Sequence, residues 1–135
     1  VNASDYTETQ KVYNKYKGKK KIIGICLGFQ QILYAENADI VPQKKIYHGY
    51  QSKIKALKES ALFKPNKVFL AGRYHSLKLK EPFNSSSLKI TMRCVESNVA
   101  MAIEDTINNV YGFQFHPDSF LTVDGKFLIQ KVLQF

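Results

Sequence analysis

A chain of 135 residues, 44% apolar and 13% aromatic, is one domain of ordinary size with enough apolar material for a core, which excludes a disordered segment. The formal charge of +9 raises nucleic-acid binding, yet only Arg73 and Arg93 carry the planar fork of base readers and phosphate clamps, and the other basic residues are lysines scattered as on a solvated surface. No run approaches the roughly 18 apolar residues of a membrane span, so neither nucleic acid nor a membrane is expected as partner.

Residues 1–16 are too polar for a signal peptide, and Val1 in place of an initiator methionine reads as a cut or processed end. Asn2-Ala3-Ser4 and Asn84-Ser85-Ser86 match the glycosylation sequon by chance. Thr7-Glu8-Thr9-Gln10 has capping-box spacing and predicts a short helix carrying Val12, Tyr13 and Tyr16, which Gly18 can end. Lys19-Lys20-Lys21 marks a loop entering a strand, and Ile22, Ile23 and Ile25 form the continuous apolar run of a strand covered on both faces.

Residues 30–36 read as helix, and short strands are expected at 44–47, 52–57, 68–71, 77–79, 88–95, 99–104 and 110–115, with a hairpin at Glu96-Ser97-Asn98. A last helix starts near Asp124 as N-cap and buries Phe127, Leu128, Val132 and Phe135. There is no repeat, low-complexity segment or linker, so residues 1–135 read as one α/β domain that begins helix–strand–helix and continues in many strands. The expected architecture is three-layer, a mostly parallel sheet between helices with an antiparallel extension from the 88–104 hairpin. Cys26 and Cys94 are far apart and form no CxxC pair, so no disulfide framework, metal or other cofactor is indicated, and a reducing, cytoplasmic compartment is expected.

Gly24-Ile25-Cys26-Leu27-Gly28 is GxCxG, the cysteine counterpart of the GxSxG elbow, whose small flanking residues permit a sharp strand-to-helix turn exposing the nucleophile. The following helix would aim N–H groups and its positive dipole end at the sulfur and lower the thiol pKa, and the Leu27 amide would stabilise an oxyanion. The pentapeptide alone fits a small buried hydrophobe in a glycine-flanked strand equally well. A thiolate needs a base, and the chain offers His48, His75 and His116. In Phe113-Gln114-Phe115-His116-Pro117-Asp118-Ser119 the carboxylate of Asp118 can reach back to orient the His116 ring, which supplies nucleophile, base and orienter. Alone, HPDS also fits a strand-terminating turn with Asp118 or Ser119 capping local backbone.

GICLGFQQI, HGYQS, RYHSL and FQFHPDS, in this order and at these intervals, resemble the class I (triad) glutamine amidotransferases, and RYHSL resembles the subunits that serve anthranilate synthase and aminodeoxychorismate synthase. The match runs from about Lys20 to the C-terminus. The resemblance implies that Cys26 attacks the side-chain amide of glutamine while His116, oriented by Asp118, shuttles protons, so that ammonia leaves and a glutamyl thioester remains for water. It implies that Gln30 and the Ser76-Leu77 backbone hold the amino-acid end of the substrate, and that His48-Gly49 with Ser52 lies near a chorismate-using synthase partner. His75 is structural rather than catalytic in such proteins. Anthranilate synthesis is the first expectation and aminodeoxychorismate synthesis the second.

The chain departs from the family pattern at several places. Phe29 stands where a histidine is usual, Asp118 where glutamate is usual, and Glu36-Asn37-Ala38 where a glycine pair is usual. Relatives begin with a strand, a helix and a further strand, then a PGPG-type loop whose amide completes the oxyanion hole; this sequence matches from just after that loop. A sheet without that unit exposes an unpaired edge, and one missing oxyanion donor costs about 2.7 to 4 kcal/mol of barrier. Three readings follow: a glutaminase subunit, impaired unless the upstream segment is supplied; a shortened, non-catalytic remnant that docks to a synthase; and a basic interaction module.

Overall fold

The computed structural model of the chain describes residues 7–43, 49–73, 75, 77–117, 122 and 125–134. Helix α1 (Thr7–Tyr16) begins where the capping pattern predicts, with Glu8 in its first turn and Lys15 in its last to complement the dipole. Gly18, at φ 79°, turns the chain beyond it, a conformation that costs glycine nothing. Tyr13 is the helix's buried residue, and the Nε2 atom of Gln10 is buried without a hydrogen-bond partner. Strand β1 (Ile22–Ile25) leads through Cys26 into α2 (Leu27–Ala35), which buries Phe29, Gln30, Ile32 and Leu33.

The strands that follow are β2 (Ile40–Pro42), β3 (Tyr50–Ala56), β4 (Val68–Arg73), β5 (Leu77–Leu79), β6 (Lys89–Cys94), β7 (Ala100–Asp105) and β8 (Val110–Phe113), before α3 (Gly125–Gln134). Six form one sheet in the order β1-β8-β7-β6-β3-β4, and β2 pairs with β5 in a separate ribbon. Among the described residues only β1 and β8 run parallel, and every other pair is antiparallel. The α/β class therefore holds, but among the described residues the sheet is mixed rather than mostly parallel. The cause is local: β6–β7 and β7–β8 are joined by tight turns with Asn98 and Asn109 at φ 60°, and short turns can only join antiparallel strands. The bridge from Gly72 to His116 ties the continuation of β8 back to β4, so the sheet curls on itself.

Alternation along the strands sends side chains to two cores. Ile54, Phe69, Met92, Met101, Tyr111, Phe113 and Phe115 pack with Leu128 and Val132 of α3. Ala100, Ile103 and Val110 pack with Tyr13 of α1 and Phe29, Ile32 and Leu33 of α2. Helices thus cover both faces, as the three-layer reading requires.

Three expectations are corrected. β1 is not covered on both faces, because it lies at the sheet edge and Ile23 is 38% exposed. Phe127 is 47% exposed, since the inner stripe of α3 is Gly125, Leu128 and Val132; its ring instead leans on Phe63 at 6.3 Å. β2 stands where the sequence pattern predicts no strand. The expected strand at 44–47, the Asp124 cap and Phe135 lie outside the described residues.

Candidate active site

Cys26 sits between the last residue of β1 and the first of α2 at φ 56°, ψ −103°. A non-glycine residue at positive φ costs on the order of 1–3 kcal/mol and persists only where its surroundings impose it. Here they do. The Cys26 N–H donates to the Phe113 carbonyl at 2.7 Å, extending the β1–β8 ladder, while its carbonyl accepts from Gln30 N at 3.2 Å and opens the helix. Gly24 makes the reversal sterically feasible, because a Cβ there would lie 2.7 Å from the Gly28 backbone and 2.6 Å from Ile32. At Gly28 the same atom would meet nothing within 4 Å.

The thiol is half-buried. Burial pushes its pKa up, while hydrogen bonds from the Leu27 amide and the Gln114 side chain pull it down, and burial prevails. This corrects the expectation of a lowered pKa: two weak donors do not repay the desolvation of the thiolate. The Leu27 amide, expected to serve an oxyanion, is directed at the sulfur itself.

Because β1 and β8 are parallel, both end on the same side of the sheet, the side where open α/β sheets bind ligands. Cys26 follows β1 there and His116 follows β8. The backbone of His116 is fixed on both sides: its N–H donates to the Gly72 carbonyl at 3.2 Å, and its carbonyl accepts from the Thr122 hydroxyl at 2.6 Å. That hydroxyl accepts in turn from Gly72 N at 2.9 Å. Gly125 seats α3 against the same loop, since a Cβ there would overlap the Pro117 carbonyl at 1.7 Å.

Gln30 is buried, and its Nε2 donates to Gln114 Oε1 at 3.1 Å; Gln114 is fully buried, and its Nε2 points at the Cys26 sulfur at 3.8 Å. Leu77 opens β5, away from the main sheet, and its carbonyl accepts from His75 Nδ1 at 2.9 Å. His75 is buried and accepts at Nε2 from Arg73 Nε at 2.9 Å, and its pKa is lowered to about 4, chiefly by burial. Gly49 takes φ 74° and donates its N–H to the Arg73 carbonyl at 3.0 Å, and Ser52 pairs with Ala71, so both lie on the β3–β4 edge, across the sheet from β1. Asp118, Ser76 and His48 lie outside the described residues. Phe29, the departure beside the cysteine motif, is fully buried against Gly112. No group of three or more metal-ligating side chains occurs among the described residues, and no described helix is long and apolar enough to cross a membrane.

Sequence reasoning missed Gln114, Thr122 and Gly125. Gln114 stands between two phenylalanines just after β8, a pattern that by itself does not distinguish a buried amide from an exposed one.

A strained cysteine at a strand-to-helix elbow, with a histidine-bearing loop after the neighbouring parallel strand, defines an α/β protein of the cysteine-elbow class. The family model for "Glutamine amidotransferase class-I" matches residues 2–134, and the chain belongs to that family. It is 33% identical over 129 residues to anthranilate synthase component 2 of Lactococcus lactis, covering 94% of this chain and 65% of that protein. It is 36% identical over 122 residues to the bifunctional protein TrpGD of Thermotoga maritima, covering 90% of this chain and 20% of that one. The chain therefore spans less than two thirds of the length of these relatives. Among solved structures, a GMP synthase subunit from Thermoplasma acidophilum superposes with TM-score 0.80 at 17% identity, covering 98% of this chain and 66% of that one. A glutamine amidotransferase from Thermotoga maritima superposes with TM-score 0.64 at 16% identity, covering 84% and 46%.

Proposed function

We propose that this chain is the glutamine-hydrolysing part of an amidotransferase that delivers ammonia to a chorismate-using synthase subunit. The observation that carries the reading is the Cys26 elbow, because φ 56° is strain with no structural use unless the sulfur must be presented. In this mechanism the Cys26 thiol gives its proton to His116, and the thiolate attacks the amide carbon of glutamine. The C–N bond breaks as His116 returns the proton to the departing ammonia, leaving a glutamyl thioester. Water, deprotonated by His116, releases glutamate and restores the thiol. Asp118 orients the His116 ring, and the Leu27 amide turns from the sulfur to the oxyanion. Gln30, Ser76 and Leu77 line the amino-acid end of glutamine. His48, Gly49 and Ser52 face the synthase. The names of the relatives favour anthranilate synthesis over aminodeoxychorismate synthesis.

The test is exposure of the folded chain to 6-diazo-5-oxo-norleucine followed by peptide mapping. The expected result is labelling of Cys26 alone, suppressed by excess glutamine; labelling of Cys94, or none, would overturn the assignment. One observation favours a second reading, a docking protein without turnover: burial raises the Cys26 thiol pKa and leaves less thiolate at neutral pH. Unlabelled Cys26 in a chain that still binds a synthase would select it.

A further inference from the structure

Gln30 and Gln114 lie 84 residues apart in sequence and meet at 3.1 Å, beside the sulfur. Gln114 is fully buried and Gln30 is 4% exposed, although neither packs as a hydrophobe. Burying two primary amides is unfavourable unless their hydrogen bonds are satisfied. Nothing in the fold requires amides there, since the flanking Phe113 and Phe115 fill the core below and Phe29 fills the one opposite.

The pair has a definite polarity. Gln30 Nε2 donates to Gln114 Oε1, which leaves Gln114 Nε2 facing Cys26 Sγ at 3.8 Å. A thiolate can only accept, so this orientation, with N–H rather than C=O toward sulfur, is the one that suits the charged form. Gln114 is also held from behind, because its own backbone N–H donates to Met101 O at 2.9 Å. Gln30 rises from the first turn of α2, four residues after Cys26, so the two amides connect the helix start, the end of β8 and the sulfur in one closed circuit.

We infer that Gln114 is a positioning residue for the nucleophile: its amide N–H holds and stabilises the Cys26 thiolate, and Gln30 sets its orientation through Oε1. The inference rests on Cys26 being the nucleophile, and it gives Gln30 a role beyond the substrate contact that resemblance implies. It also explains how a half-buried thiol remains usable. The Leu27 amide and Gln114 both donate against the desolvation of the charge, and losing Gln114 weakens that support.

The test uses the pH dependence of Cys26 carboxamidomethylation by iodoacetamide, read by peptide mapping on the folded full chain, a readout that needs no turnover. Gln114→Met conserves volume and removes the donor. It is expected to raise the midpoint of the alkylation profile by about one pH unit, the scale of one weak charge-assisted hydrogen bond. Gln30→Met keeps Gln114 but frees its amide to rotate, and a smaller rise is expected; it also serves if Gln114→Met does not fold. A lowered melting temperature with the wild-type midpoint in both folded variants, or in Gln30→Met alone should Gln114→Met not fold, would overturn the inference and leave the amides as core packing. The glutamine reading fails separately, through a wild-type Cys26 that glutamine does not protect from 6-diazo-5-oxo-norleucine.

Discussion

The two glycines of GxCxG look alike in sequence and do different work. Gly24 lies against the Gly28 backbone and Ile32, so Gly24→Ala forces strand and helix apart and is expected to cost about 1–3 kcal/mol in urea denaturation, with loss of Cys26 labelling. Gly28 has open space around its α-carbon and helical backbone, so Gly28→Ala is expected to leave stability unchanged or raise it by up to about 1 kcal/mol. Equal losses in the two variants would contradict this division. His75 provides a second residue-scale expectation. Its pKa falls from an ordinary 6.5 to about 4 in the fold, so between these values the unfolded chain takes up a proton that the folded chain refuses. Stability therefore rises with pH across this window, and roughly 2–3 kcal/mol is lost between pH 7 and pH 4.5. His75→Gln should flatten that part of the profile; an identical pH dependence in variant and wild type would show that the ring does not carry it.

Among elements, the docking of α1 onto α2 depends on Glu36, the residue that follows α2. Its carboxylate accepts from the Tyr13 hydroxyl at 2.6 Å and pairs with Lys17 at the end of α1. The same pairing, after burial itself, holds the Tyr13 phenol far above its ordinary pKa. Glu36→Ala leaves the Tyr13 hydroxyl without this acceptor and is expected to cost about 1–3 kcal/mol. Tyr13→Phe should remove most of the penalty in the double variant, and additive losses would show that the two groups act independently. This tie is not legible in the sequence, because it joins residues 23 apart whose packing depends on the whole α1–α2 face. What is legible is local. The hairpin at Asn98 and the helix after Cys26 are encoded by neighbours within a few residues, and both elements occur close to their expected places. The pairing of β1 with β8 is not encoded in this way, because it joins strands more than 80 residues apart, whereas the tight turn at Asn109 fixes β7 and β8 as antiparallel. β2 leaves no signal because three residues ending in Pro42 carry no alternation. The GxCxG motif is legible for the same local reason, whereas Gln114, Thr122 and Gly125 acquire meaning only when β8, β4 and α3 converge.

At the scale of the molecule the unusual feature is the position of β1. Among the described residues it has a strand neighbour only on its β8 side, and beside it a groove of about 510 Å³ opens between α1, β1 and the start of α2, lined by Val12, Tyr16, Ile22 and Ile23 among others. An exposed apolar edge favours edge-to-edge association. A charge of +9 opposes it, and Lys20 and Lys21 at the rim of the groove place part of that charge where a second copy would approach. The two effects differ in their response to salt. Charge repulsion is screened over about 10 Å at 0.1 M and about 3 Å at 1 M, whereas burial of apolar surface is not weakened by screening. Association is therefore expected to be slight at low ionic strength and to grow as salt is added, the reverse of a salt-bridged contact. Sedimentation velocity across a salt series reads this directly. Ile23→Lys, which puts a cation on the open strand at a 38% exposed position, should keep the chain monomeric throughout. Association that weakens with salt, or that survives Ile23→Lys, would place the contact elsewhere on the molecule.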